Sequence, residues 1–235
     1  VYRSPTYGVL MMGRAFPVEG DPRPATENIR EYLRVYPLTQ AADPPETKLV
    51  NGTGLEFNTV HANTYKFYEE INGLVQEEPA EAMDPETLGL LAAIGIEKGK
   101  PFEPDTRMRQ ILEDAVATAN ATARAISLRP RMKDVYHYPG ESYWSNPLVT
   151  GHEFKRGAAR VLDARTMFFF LSGVVTPAMA IKMVGVGSQY AGGFMDANGE
   201  YLDGGKSYRL HLPPNPPANR FWSVTLYDLQ TRSML

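Results

Sequence analysis

A long amphipathic stretch over residues 104–126 constrains this chain more than any other feature. Ile111, Ala115, Ala119 and Ala123 recur every four residues, and Leu112, Val116 and Ile126 widen the stripe. A repeat close to 3.6 places these side chains along one side of an α-helix, and that side must be covered by another element. The small alanines let the covering element come close. Two shorter helices are predicted before it. One spans 63–75, with Tyr65, Tyr68, Ile71 and Val75 near helical spacing, and the other spans 85–96 behind Asp84 as N-cap. A further short helix is predicted over 25–33.

The flanks read differently. Residues 7–16 form a continuous apolar run suited to a buried strand, and a short strand is predicted over 34–38. Residues 40–54 are rich in Pro, Asp, Gly and Asn and read as a loop. Thr150 and Glu153 have the spacing of a capping box, which predicts a helix from 150 to about Ser172 with Gly173 as its stop. After Pro177 strands are expected over 187–195, 206–212 and 221–229. The last is the clearest, because Trp222, Val224, Leu226 and Asp228 alternate with Phe221, Ser223, Thr225 and Tyr227. About three C-terminal strands are few for an independent sheet. The expectation is therefore that the chain is a fragment, or that its last strand pairs with the N-terminal strand or with another subunit.

Composition removes several function classes. A net charge of −3 over 235 residues weighs against nonspecific nucleic-acid binding. With no cysteine, disulfides, thiolate metal sites and a cysteine nucleophile are excluded. The most apolar run, residues 167–181, is about fifteen residues against the roughly twenty needed to span a bilayer. It is broken by Ser172, Gly173, Thr176 and Pro177, so no membrane span is expected.

The C-terminal segments Thr176-Pro-Ala-Met-Ala180, Gly187-Ser-Gln-Tyr190, Asp196-Ala-Asn-Gly-Glu-Tyr-Leu-Asp-Gly-Gly-Lys206, Leu212-Pro-Pro-Asn215 and Phe221-Trp-Ser-Val-Thr-Leu-Tyr-Asp228 resemble a bacterial exported protein family. That family carries paired domains of unknown function, 1254 and 1214. Val1-Tyr-Arg-Ser-Pro-Thr-Tyr-Gly8 and Gly95-Ile-Glu-Lys-Gly-Lys-Pro-Phe102 are similar to its first domain and linker. The resemblance implies a jelly-roll β-sandwich in each half, a helical section between them, and a periplasmic or secreted location. It brings no settled activity and no catalytic residues. The expected fold class is thus α+β, with jelly-roll-like antiparallel β-sandwich elements around a central helical section. Residues 1–60 would end the first β domain, 61–130 would be helical, and 131–235 would begin the C-terminal domain.

The candidate site residues are Arg165, Tyr136, Tyr138, Trp144 and His152. On a helix phased from Thr150, Arg165 falls among Phe154, Ala158, Val161, Leu162, Phe168, Phe169 and Ser172. A charge there needs either a buried counter-charge or an anion in a cleft. The loop 136–144 combines four aromatics with His137, Glu141 and Ser142, a composition suited to sugar stacking or to covering the core. His152-Glu153 lacks the second histidine of a zinc-protease motif. His61, His137 and His211 are far apart, so no metal site is assigned. Asp196, Asn198, Glu200 and Asp203 resemble half a calcium loop but suit a hairpin turn better. No Gly-x-Ser-x-Gly elbow, complete dinucleotide fingerprint or phosphate loop occurs, and no cofactor is expected. The functional expectation is an envelope-associated protein with a structural or ligand-binding role, forming homo-oligomers. The alternative is an enzyme acting on an anionic or carbohydrate-like substrate near Arg165.

Overall fold

The structure is a computed structural model. It describes all residues except 1–2, 12, 14, 57–59, 174–176, 181–188, 219–220, 233 and 235. The elements are α1 (Arg23–Tyr32), α2 (Lys66–Glu77), α3 (Pro85–Ala92), α4 (Thr106–Leu128), β1 (Lys155–Arg156), β2 (Ala159–Arg160), α5 (Leu162–Leu171) and α6 (Pro177–Ala180). The chain divides into two compact units. The first comprises Val1–Thr59 with Gly73–Lys100, and the second Val60–Asn72 with Pro101–Leu235, so the division falls inside α2.

The expected jelly-roll β-sandwich is overturned. Among the described residues the fold is mainly helical, and its one sheet is the two-stranded antiparallel pair β1–β2. Residues 221–226 form no strand, and among the described residues the predicted strand 221–229 reduces to one antiparallel bridge, Tyr227 with Met234. Residues 206–212 are likewise irregular. Of 187–195, residues 187 and 188 lie outside the described residues, and the rest contributes isolated bridges, Gly192 with Ser145 and Met195 with Tyr201. Alternation dictates which side chains share a face. A strand also needs lateral partners for its N–H and C=O groups, and alternation supplies none.

In the first unit, residues 12 and 14 of the predicted strand 7–16 lie outside the described residues, and the rest is not buried, since Tyr7, Val9, Leu10, Met11 and Phe16 are exposed. What holds the start of this segment is Glu78, which is 8% exposed. Its carboxylate accepts the N–H groups of Tyr7 and Gly8 at 2.6 and 2.9 Å. Lys98 Nζ donates to the carbonyl oxygens of Val75, Gln76 and Glu78, closing the C-terminal end of α2. α3 starts where its cap predicts. Asp84 accepts from the Thr87 N–H at 3.0 Å, and Pro85 occupies the first helical position.

In the second unit, Asp105 caps α4 by accepting from the Met108 N–H at 2.7 Å. The buried stripe of α4 is carried by Leu112, Val116, Ser127 and Leu128, while Ile111, Ala115 and Ala119 face solvent. α5 packs against α4. The core gathers Val135, Val149, Phe154, Ala164, Met167 and Phe168.

The capping box at Thr150 does not form. Thr150 has φ 69°, outside the extended conformation of an N-cap, and its hydroxyl donates to the Val149 carbonyl. Glu153 pairs with Lys155 instead, and the Lys155 ammonium holds the Glu153 carboxyl below its ordinary range. Gly157 explains why no helix runs through this segment. At φ 61° it takes the first central position of the two-residue loop Gly157-Ala158 joining β1 to β2, the sign pattern of a type II′ hairpin. The helix begins only at Leu162. Its stop is as predicted: Gly173 at φ 80° donates to the carbonyls of Phe168 and Phe169.

The Asp196 segment is a hairpin turn. Asp196 Oδ1 accepts the N–H groups of Asn198 and Glu200, and Gly199 at φ 79° completes the reversal.

Candidate functional site

α5 presents Ala164, Met167, Phe168 and Phe170 to the interior, and Leu162, Arg165 and Phe169 to solvent. The expected burial of Arg165 is therefore corrected. Its predicted phase was counted through a helix from Thr150 that does not exist. A hairpin in the middle of the count resets the phase. Neither a sealed internal ion pair nor an internal clamp is required of an exposed guanidinium.

The aromatic loop folds back on itself. The His137 N–H donates to the Trp144 carbonyl at 2.9 Å, and Tyr136 bridges Ser145. The Tyr136 hydroxyl donates to the Pro130 carbonyl, and its ring meets Tyr143 edge-on. Burial raises the Tyr136 phenol above its ordinary value. Trp144 lies against Gly193 so closely that a Cβ there would sit 2.8 Å from the indole. One face of that ring is thus occupied by the chain's own backbone. Tyr138 stands exposed at the loop tip, and His152 is exposed in the turn before β1. The structure brings Tyr136, Tyr138 and Trp144 into one loop. No hydrogen bond, ion pair or ring contact among the described residues joins Arg165 or His152 to it.

A different constellation surrounds a cleft of about 460 Å³ in the second unit. It is lined by α4 (Ala117, Asn120, Ala121, Arg124), Phe170 of α5, Asn63, and the C-terminal residues Leu229, Gln230 and Arg232. On α4 the four lining residues follow helical spacing, so they share one side, and the two alanines leave the room between the polar groups. Asn120 Nδ2 donates to the carbonyls of Asn63 and Val116, both at 3.0 Å, which fixes its amide. Arg124 Nη1 donates to Gln230 Oε1 at 2.8 Å.

Arg232 lies over the Phe170 ring, with its guanidinium carbon 4.6 Å from the centroid. Its Nε is buried and has no hydrogen-bond partner among the described residues. Burial lowers the Arg232 pKa from its ordinary value, and a guanidinium starts high enough to stay charged at neutral pH.

A turn anchored on Asp228 carries Gln230 and Arg232. Asp228 Oδ1 accepts from the Thr231 N–H at 2.6 Å, the Thr231 hydroxyl at 2.9 Å and the Gln230 N–H at 3.0 Å. The Thr231 bonds are the main reason the Asp228 carboxyl titrates below its ordinary value, with Gln230 and the positive charge of Arg124 adding to them. Arg232 adopts φ 57°, the left-handed region that an L-residue enters at a cost. Two guanidinium groups, a fixed amide and an aromatic wall make a site suited to a small anion, above all a planar carboxylate.

Sequence reasoning missed this cleft. One indication was available: Asn120 and Arg124 are polar residues four apart, bordering the apolar stripe of the longest helix. Nothing in the local sequence pointed to Arg232, whose seat on Phe170 is a contact across 62 residues of chain.

Residues 187–235 match the family model described as a protein of unknown function (DUF1214). This bears out the C-terminal part of the family resemblance, and gives no support to a paired first domain or to export. No curated protein matches the chain. Leu229, Gln230 and Arg232 fall within the matched segment, whereas the α4 side of the cleft precedes it. No helix among the described residues is long and apolar enough to cross a membrane.

Proposed function

We propose that this chain is a ligand-binding protein whose cleft between α4, α5 and the C-terminal turn receives a small carboxylate. The observation that carries the reading is Arg232. It is a charged group held on Phe170 with a buried Nε that no described residue satisfies. A buried donor without an acceptor is costly, and an anionic oxygen would remove that cost. Arg124 supplies a second guanidinium in the same cleft. An envelope-associated setting and self-association belong to the same proposal. The first rests on the family resemblance. The second is supported by the exposed apolar run that includes Phe221, Val224 and Leu226.

Calorimetric titration with succinate, using glucose as an uncharged control, tests the ligand class. Succinate is expected to bind and glucose not to bind. Arg124→Met and Arg232→Met are each expected to weaken succinate by tenfold or more, about the loss of a charged hydrogen bond. Equal binding of succinate by folded wild type and both variants would remove the cleft from consideration.

A further inference from the structure

We infer that Gln230 is a built-in competitor for the anion site, so that the C-terminal turn gates the cleft by occupying Arg124. This rests on the carboxylate-binding reading above. Gln230 Oε1 sits 2.8 Å from Arg124 Nη1, and both residues line the cleft. A side-chain amide oxygen presents to a guanidinium the same sp² oxygen as a carboxylate, but without the charge. It makes one hydrogen bond here, whereas a carboxylate can pair with the planar fork through two charged ones. The amide is therefore a weaker occupant that a carboxylate can displace.

The turn gives this weak occupant its persistence. Three hydrogen bonds to Asp228 Oδ1 shape residues 228–231, and the Arg232 N–H donates to the Asp228 carbonyl at 2.8 Å. The amide is thus tethered beside Arg124 at high local concentration. Asp228 also contributes a negative charge that interacts with Arg124, so the turn holds an acid near the site as well as the plug. The apparent affinity for an external carboxylate is reduced by the fraction of time that Gln230 vacates Arg124. The same turn carries Arg232, so Gln230 and Arg232 reach the cleft from one hydrogen-bonded element.

The test is calorimetric titration of the full chain with succinate. Gln230→Ala removes the competitor and is expected to tighten binding by roughly tenfold, the low end for a hydrogen bond to a charged group. Gln230→Glu installs a charged competitor and is expected to weaken binding by at least as much. Asp228→Ala removes all three bonds to the carboxylate, so it loosens the turn, and it is expected to tighten binding. It also serves as the deciding variant if circular dichroism shows Gln230→Ala unfolded. Unchanged or weaker binding by Gln230→Ala overturns the inference. In that case, loss of wild-type binding in Arg124→Met and Arg232→Met leaves the cleft as a carboxylate site, with Gln230 a bystander if binding is unchanged and a ligand contact if it is weaker. Absence of succinate binding by both wild type and Gln230→Ala overturns the inference together with the reading beneath it.

Discussion

Residues 162–171 and residues 221–226 lie in the same unit and are similarly apolar, yet they end in different environments. In α5, Ala164, Met167, Phe168 and Phe170 are buried, with Met167 at 0% exposure. In the second run Phe221 is 78% exposed and Leu226 66% exposed. The helix satisfies its own backbone and needs only a covering surface, which α4 and the segment around Val135 and Val149 supply. The extended run needs a lateral partner as well, and among the described residues 221–226 have none; the bridge beside them joins Tyr227 to Met234. Apolar content alone therefore does not make a core; the backbone must also be satisfied where the side chains are buried.

The largest expected effect falls on the buried run. Met167→Ala is expected to destabilise the protein by about 2–5 kcal/mol, the range for truncating a buried methionine. A urea denaturation curve showing a loss under about 1 kcal/mol would mean that the α4–α5 contact is not the core of this unit.

A smaller, local effect is expected where the exposed run ends. Asp228 has a folded pKa below its unfolded value of about 3.9. Its contribution is thus fully present above that unfolded value and is lost as the pH falls through the depressed folded value. The Gln230 and Thr231 amide resonances are expected to hold steady from neutral pH down to about 4 and to shift below it. A shift centred between pH 5 and 7 would mean that another group holds the turn.

The smallest effect is expected for Phe221→Ser, within about 0.5 kcal/mol in the monomer. A loss above about 2 kcal/mol at any protein concentration would put Phe221 inside a core and erase the contrast between the two runs. A loss that appears only at high protein concentration would sharpen the contrast, by showing that a second copy covers the run.

What was legible in the sequence was local. Asp84 caps the helix it precedes, Gly173 stops α5, and the Asp196 segment turns, because each device acts within about five residues of chain. Arg165 was misplaced through one element. Gly157 in a hairpin interrupted the helix from which its phase was counted. The candidate cleft was half legible: Asn120 and Arg124 follow from helical spacing, while Arg232 and Gln230 do not.

The sequence by itself determined where α3 begins and where α5 stops, and excluded thiol chemistry through the absence of cysteine. Only the tertiary structure decided which apolar runs are buried, that residues 221–226 build no sheet, and that arginines from α4 and the C-terminal turn line one cleft. The physical reason is range. Caps and turns are settled by hydrogen bonds between near neighbours, whereas burial and strand pairing depend on partners that local sequence does not name.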